Sequence, residues 1–119
     1  MVSNWSIIAS ARLYVPLSPQ DDVDALRQQI RSLITENTAG FDVNAGIAHQ
    51  THDDAAKLLP GATAWLFTSV HTRSYVDDAA KVQGHKGKCR YLARLLAQTL
   101  NRPVRMTIED PPFDKVYHP

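Results

Sequence analysis

The sequence predicts a small α+β domain with a mixed sheet and helices packed on one of its faces. Three observations lead to this class: apolar residues alternate in some segments, recur at helical spacing in others, and Pro, Gly or Asn separate the segments. A chain of 119 residues is long enough for one hydrophobic core and short for two. We therefore expect a single domain over residues 1–119.

Alternating apolar residues predict four β-strands, at residues 6–17, 41–47, 62–72 and 104–109. Residues 50–61 are predicted to connect the second and third strands, with one helical turn before Pro60. The two prolines at 111 and 112 end the last strand. We expect residues 113–119, which follow them, to be a poorly ordered tail.

An amphipathic helix is predicted over residues 22–36. Five apolar residues recur there at helical spacing, namely Val23, Leu26, Ile30, Leu33 and Ile34. Asp21 and Asp22 stand at its start, where carboxylates interact favourably with the helix dipole. The residues from Asn37 to Gly40 are predicted to end this helix.

Two shorter helices are predicted further along the chain. A capping-box pattern at residues 74–77 indicates a helix that ends near Gln83. A second helix, over residues 88–101, has an apolar side made of Cys89, Leu92, Ala93, Leu96 and Leu100. Two glycines lie between these helices. If the second helix were extended backwards, Val76, Ala79 and Ala80 would fall on its basic side, out of phase with its leucines. We therefore expect a break at residues 84–87.

Positive charge is concentrated in one stretch of this nearly neutral chain. The formal net charge is +1, but residues 79–108 hold seven basic residues and no acidic one. A concentrated basic region can attract an anionic ligand, although a charge run can also be an ordinary solvated helix face. The basic side chains that fall roughly opposite the apolar side of the second helix are Lys86, Arg90 and Arg94.

The segment Gly84-His85-Lys86-Gly87 lies between the two paired helices, and from residue 21 the elements run helix, strand, strand, helix, helix, strand. This order, with GxxG between the paired helices, resembles the K-homology (KH) domain in its type II arrangement. The resemblance covers residues 21–110, so that the strand at 5–17 is an addition and residues 111–119 a short tail. Counted from the first strand, the order also reads β-α-β-β-α-β, which is a ferredoxin-like plait. The sequence leaves these two sheet orders open, and the break at the glycines favours the KH-like one.

The resemblance implies a function and a set of site residues. In KH domains the GxxG loop clamps the backbone of about four single-stranded nucleotides. The residues that would bind nucleic acid here are Gly84, His85, Lys86, Gly87, Lys88, Arg90 and Arg94. The implied partner is single-stranded RNA, or DNA, and the implied activity is binding without catalysis or a cofactor.

A protein-interaction module is the main alternative to nucleic-acid binding. Such a module would be a small intracellular regulator or inhibitor that uses the basic helix against an acidic protein partner, or that forms a homodimer. A third reading is a sensor of a small anion or nucleotide at the helix terminus. Arg12, Tyr14, Trp65 and Phe67 share one face of the predicted sheet. They could form a base-stacking platform, an apolar patch for a partner, or core beneath the helices, and we expect the last of these.

Enzymatic and metal-binding readings find little support in the sequence. Gly87-Lys88-Cys89 resembles the end of a phosphate-binding loop, but Val82 and Cys89 stand where that motif needs Gly and Ser or Thr. We expect Cys89 to be a buried structural residue, and His49 and His52 to be surface residues of a connector and not metal ligands.

The single cysteine excludes an internal disulfide and fits a reducing compartment, so the expected location is cytoplasmic. No apolar run approaches the length needed to cross a membrane. No membrane partner is expected.

Overall fold

The computed structural model describes residues 5–38, 43–45, 49–51, 55–75, 79–108 and 112–119. In chain order, the elements are β1 (Trp5–Leu17), α1 (Val23–Glu36), β2 (Val43–Ala45), β3 (His49–Thr51), a 3₁₀ turn (Ala55–Lys57), β4 (Ala64–Tyr75), α2 (Ala79–Leu100), β5 (Val104–Ile108) and β6 (Phe113–Tyr117). The protein is an α+β fold, as the sequence predicts.

The strands form one sheet in the order β2-β4-β1-β5-β6, and β3 also pairs with β4. Every pairing between the described strands is antiparallel. β1 lies at the centre, between β4 and β5, and it pairs with β4 along nearly its whole length. Without β1, therefore, β5 would be cut off from the other strands of residues 21–110.

The central position of β1 decides between the two predicted sheet orders. The structure has the order of the ferredoxin-like plait, with β2 and β3 as two pieces of the plait's second strand and β6 added at the edge. The type II KH-like order, in which the strand at residues 5–17 is an addition, is wrong. The mixed sheet that accompanies that order is replaced by antiparallel pairings throughout the described strands.

Both helices pack on the same face of the sheet, as expected. Alternate residues of β1, β4 and β5 point into this core because side chains of a strand alternate between the two faces. The largest fully buried side chains are Leu13, Leu17, Ile34, Leu66, Leu92, Leu96 and Met106, together with Val15, Val70 and Val104. Five of the seven largest are leucines, so close packing of aliphatic side chains dominates the core.

The boundaries of three elements differ from the predicted ones. β4 extends to Tyr75, so Ser74 lies in a strand and not at the start of a helix. His49–Thr51 forms β3, although the sequence predicts a connector from residue 50 onward. Residues 113–117 form β6 in place of a poorly ordered tail, because Phe113 and Tyr117 pack against the main core. In each case pairing or packing with distant residues supplies the order.

α1 begins and ends where the sequence predicts. Asp22 is its N-cap, and its carboxylate accepts a hydrogen bond of 3.1 Å from the backbone N–H of Ala25. Asn37 is the C-cap, and its backbone N–H donates to the carbonyl of Ile34. Leu26, Ile30 and Ile34 are buried on the face that packs against the sheet and α2.

An ion pair between Asp21 and Arg102 ties the end of β1 to the turn after α2. The Arg102 guanidinium donates to both Asp21 carboxylate oxygens at 2.8 and 3.1 Å, and to the carbonyl of Pro16 at 2.9 Å. The backbone N–H of Ser18 donates to the same carboxylate at 2.7 Å. The hydrogen bond from Arg102 lowers the pKa of Asp21, against the opposing effect of partial burial.

We expect Asp21→Asn to lower the free energy of unfolding by about 1–2 kcal/mol at neutral pH, because it removes a charged acceptor from this pair. The lowered pKa means that the carboxylate stabilises the fold above about pH 4, and that this contribution is lost as the pH falls through the lowered pKa. Urea unfolding of both proteins between about pH 2 and 7 should therefore show their stabilities converging at acid pH. A constant difference over that range would contradict this role for Asp21.

Candidate functional site

Helix α2 is continuous from Ala79 to Leu100 and contains the whole Gly84–Gly87 segment. The predicted break at residues 84–87 is therefore wrong, and the structure has no GxxG loop there. Each glycine costs a helix about 1 kcal/mol relative to alanine. A break would cost more, because it would leave backbone donors and acceptors at two extra helix ends to be satisfied.

The seven predicted site residues all lie on α2, but not all at its surface. Arg90, Arg94 and Gly87 are exposed, whereas Gly84, Lys86 and Lys88 are half-buried. The side chain of His85 lies outside the described part of the structure. The opposite side of the helix is buried as predicted, with Cys89, Leu92, Ala93 and Leu96 fully enclosed.

β6 lies beside the arginines of α2 and places aromatic rings against them. The Arg90 guanidinium carbon is 5.7 Å from the ring centre of Phe113, and that of Arg94 is 5.7 Å from the ring centre of Tyr117. Lys115, between the two aromatic residues on β6, places its Nζ 5.2 Å from the Tyr117 ring. These contacts hold the arginines over aromatic faces at the outer edge of the sheet.

The aromatic residues of β6 are part of the site that sequence reasoning missed. The two prolines at 111 and 112 favour a tail for residues 113–119. The alternation of Phe113, Lys115 and Tyr117 was the signal that could have indicated a strand. We refer below to Arg90, Arg94, Lys115 and the rings of Phe113 and Tyr117 as the basic strip.

α2 itself carries a further aromatic side chain, Tyr91. Tyr91 is 48% exposed, the largest exposed apolar side chain in the described structure. The Lys88 Nζ lies 5.3 Å from its ring centre, and its hydroxyl donates to the side-chain oxygen of Asn37 at 3.4 Å. Lys88 and Tyr91 therefore add a half-buried cation and an exposed aromatic ring to the surface of α2.

Two other arginines of the basic stretch are held by carboxylates elsewhere. Arg102 pairs with Asp21, as described above. Arg105 donates to both oxygens of Asp114 at 2.9 and 2.6 Å, and this lowers the pKa of Asp114. The rest of the positive charge of this stretch lies along α2, which carries no carboxylate, and Lys115 of β6 adds to it.

Cys89 has the properties of a structural residue. Its side chain is fully enclosed in the main core, and burial raises the pKa of its thiol to about 12. A thiol with this pKa is protonated at neutral pH, so it lacks the thiolate that a nucleophile needs. Among the described residues, no group of three His, Cys, Asp or Glu side chains could hold a metal ion. His52 lies outside these residues, as does the side chain of His49.

The aromatic residues of β1 and β4 lie on the face of the sheet opposite the helices. Tyr14 and Phe67 are cross-strand partners, and both are half-buried. Trp65 is buried in a separate small cluster with Ala55 and Ala62, against which Leu58 and Leu59 pack. The expectation that these aromatics form core beneath the helices is wrong. The cover on this face is the connector at residues 55–62.

Gly87 offers a direct test of the continuous helix. A Cβ built at this position meets no atom within 4 Å, so alanine fits without strain. We expect Gly87→Ala to raise the free energy of unfolding by about 0.5–1 kcal/mol, measured by urea denaturation. Gly61→Ala is the control, and it should be destabilising because Gly61 has φ +89. A loss of stability in Gly87→Ala would show that the backbone at 84–87 is not helical.

Comparison of the chain with protein-family models, with curated proteins and with solved structures gives no match. Of the helices within the described ranges, neither is long and apolar enough to span a bilayer.

Proposed function

We propose that this protein binds single-stranded nucleic acid, RNA or DNA, along the basic strip of α2 and β6. The observation that carries the proposal is a pair of exposed arginines, Arg90 and Arg94, on a helix without any carboxylate. Each arginine contacts an aromatic ring of β6. Binding in this form needs no loop, so it differs from the clamp that the KH resemblance implies.

On α2, Lys86 continues the row formed by the two arginines of the basic strip. Lys86, Arg90 and Arg94 recur every four residues, so they extend over about 12 Å of the helix. An arginine held over an aromatic ring keeps in-plane N–H groups that can donate to phosphate oxygens. Contact with the ring also limits the side chain's rotamers before binding, which reduces the entropy lost when a phosphate is bound. A row of this kind suits a flexible chain of phosphates.

The aromatic neighbours support a single strand over a duplex. Unpaired bases can stack on aromatic side chains or on guanidinium planes, whereas paired bases are already stacked on one another. Tyr91 is exposed on α2, and Phe113 is half-buried under Arg90. An acidic polypeptide would use the cations but would gain little from these rings.

The test is fluorescence anisotropy with a labelled ten-nucleotide RNA and the matching DNA, at several salt concentrations. If three to four phosphates are neutralised, log K should fall with log salt at a slope of about −2 to −3. Polyglutamate of similar charge serves as the comparison polyanion. Equal affinity for polyglutamate would favour the acidic-protein reading, and the absence of salt-dependent binding to either strand would overturn the proposal.

A further inference from the structure

The sheet face opposite the helices carries a row of planar groups across three strands. Phe67 of β4 pairs with Tyr14 of β1, and Tyr14 pairs with Arg105 of β5. The ring centres of Tyr14 and Phe67 are 5.6 Å apart, and the Arg105 guanidinium carbon is 5.6 Å from the Tyr14 ring centre. Both separations are close to the distance between neighbouring strands, so the three groups are neighbours across the sheet, with the Arg105 guanidinium over the Tyr14 ring.

This row is fixed before any ligand binds. Asp114 holds the Arg105 guanidinium through two hydrogen bonds. Trp65 meets the Tyr14 ring edge-on, with centres 6.0 Å apart and an interplanar angle of 74°. Tyr14, Leu58 and Leu59 each pack against the small cluster that contains Trp65, and the two leucines form a ledge beside the row. A rigid row limits the ordering cost of binding.

A polar row runs beside the planar one, away from the ledge. Arg12 of β1 pairs with Ser69 of β4 and Thr107 of β5. Arg12 is exposed, and it lines a shallow pocket with Ser10 and Thr107. Two residues of a strand on the same face are about 7 Å apart, so the Arg12 cation lies within one nucleotide's reach of the Tyr14 ring. The two rows together offer a stacking surface and a phosphate contact.

We propose that this face, with Tyr14 and Phe67 as its stacking residues and Arg12 as its phosphate contact, is a second contact surface for bases of the same single strand. The inference rests on the proposed function and adds base stacking to the phosphate binding of α2. The ligand needs a flat group with π electrons and, a short distance from that group, a negative charge. A nucleotide meets all three conditions, and its charge is complementary to Arg12.

The test compares a ten-nucleotide RNA with an abasic ten-mer that has the same phosphates. The protein should bind the base-bearing strand more tightly than the abasic one. The double variant Tyr14→Leu with Phe67→Leu should lower the affinity for the base-bearing strand at least fivefold and change the affinity for the abasic strand little. Leucine keeps the apolar volume of the site but removes the stacking surface. As a second measurement on the unaltered chain, a 4-thiouridine RNA irradiated in the complex should cross-link to β1 or β4.

The outcomes separate this inference from the proposed function. Suppose that the leucine variant binds each strand with the same affinity as the unaltered protein, and that cross-links fall on α2 or β6 alone. The sheet-face inference is then overturned and the basic strip stands. If base-specific binding is lost in the leucine variant but unaffected by substitutions in α2, the sheet face stands and the strip does not. Absence of binding to both strands overturns both.

Discussion

Leu96→Ala is expected to lower the free energy of unfolding by about 2–5 kcal/mol, the range seen when a buried large side chain is truncated. Leu96 is completely buried on the face of α2 that packs against the sheet. The core around it includes side chains from both helices and from β1, β4, β5 and β6, which cannot all move to fill the space that the substitution leaves. Urea denaturation should show a lower midpoint with an unchanged slope.

Gln98→Ala is the matched control for this substitution. Gln98 is on the same helix but exposed, so its replacement should change the free energy of unfolding by no more than about 0.5 kcal/mol. If the unfolding midpoint of Leu96→Ala differed from that of the unaltered protein by as little as that of Gln98→Ala does, Leu96 would not be buried. α2 would then be rotated about its axis from the described position.

The buried faces of the helices and strands were predictable because each follows from a local period. Leu92 and Leu96 lie four residues apart, which is enough to place them on one side of a helix. The alternation in β1 likewise indicates its buried face before any partner strand is known. Such patterns depend on residues close together in the sequence.

The sheet order was not predictable in this way. It depends on β1 pairing with β4 and β5, from which it is separated by much of the chain. Strand pairing of this kind is decided by contacts that leave no local period in the sequence. The continuity of α2 through Gly84 and Gly87 has a similar origin, because low helix propensity is a weak local preference that the wider structure overrides.

The candidate site was predicted in part. Arg90 and Arg94 are exposed opposite the buried side of α2, as their spacing indicates. The arrangement of the glycines as a loop was wrong, and so the clamp inferred from it has no structural basis. The contacts with Phe113 and Tyr117 could not be foreseen, since they require β6 to lie beside α2 in space.

Replacing both Arg90 and Arg94 by glutamine is expected to weaken strand binding about 25-fold at 0.1 M salt, if each arginine neutralises one phosphate. For single strands, each phosphate contact contributes about −0.7 to the slope of log K against log salt. Two lost contacts should therefore also make this slope shallower by about 1.4. Anisotropy titrations across a range of salt concentrations measure both quantities. The change in slope is the more specific, because partial unfolding would lower affinity without this defined dependence on salt.

Two control variants distinguish local contacts from net charge and from packing. Arg31→Glu changes the net charge by the same amount, at an exposed position on α1, and should leave the slope unaltered. Arg90→Lys with Arg94→Lys keeps both charges and should retain most of the slope, although lysine loses the planar guanidinium over each ring. Equal weakening by Arg31→Glu would show that overall charge governs binding. A glutamine variant that keeps the original slope would place the phosphate contacts elsewhere and remove the basis for assigning the strip to nucleic acid.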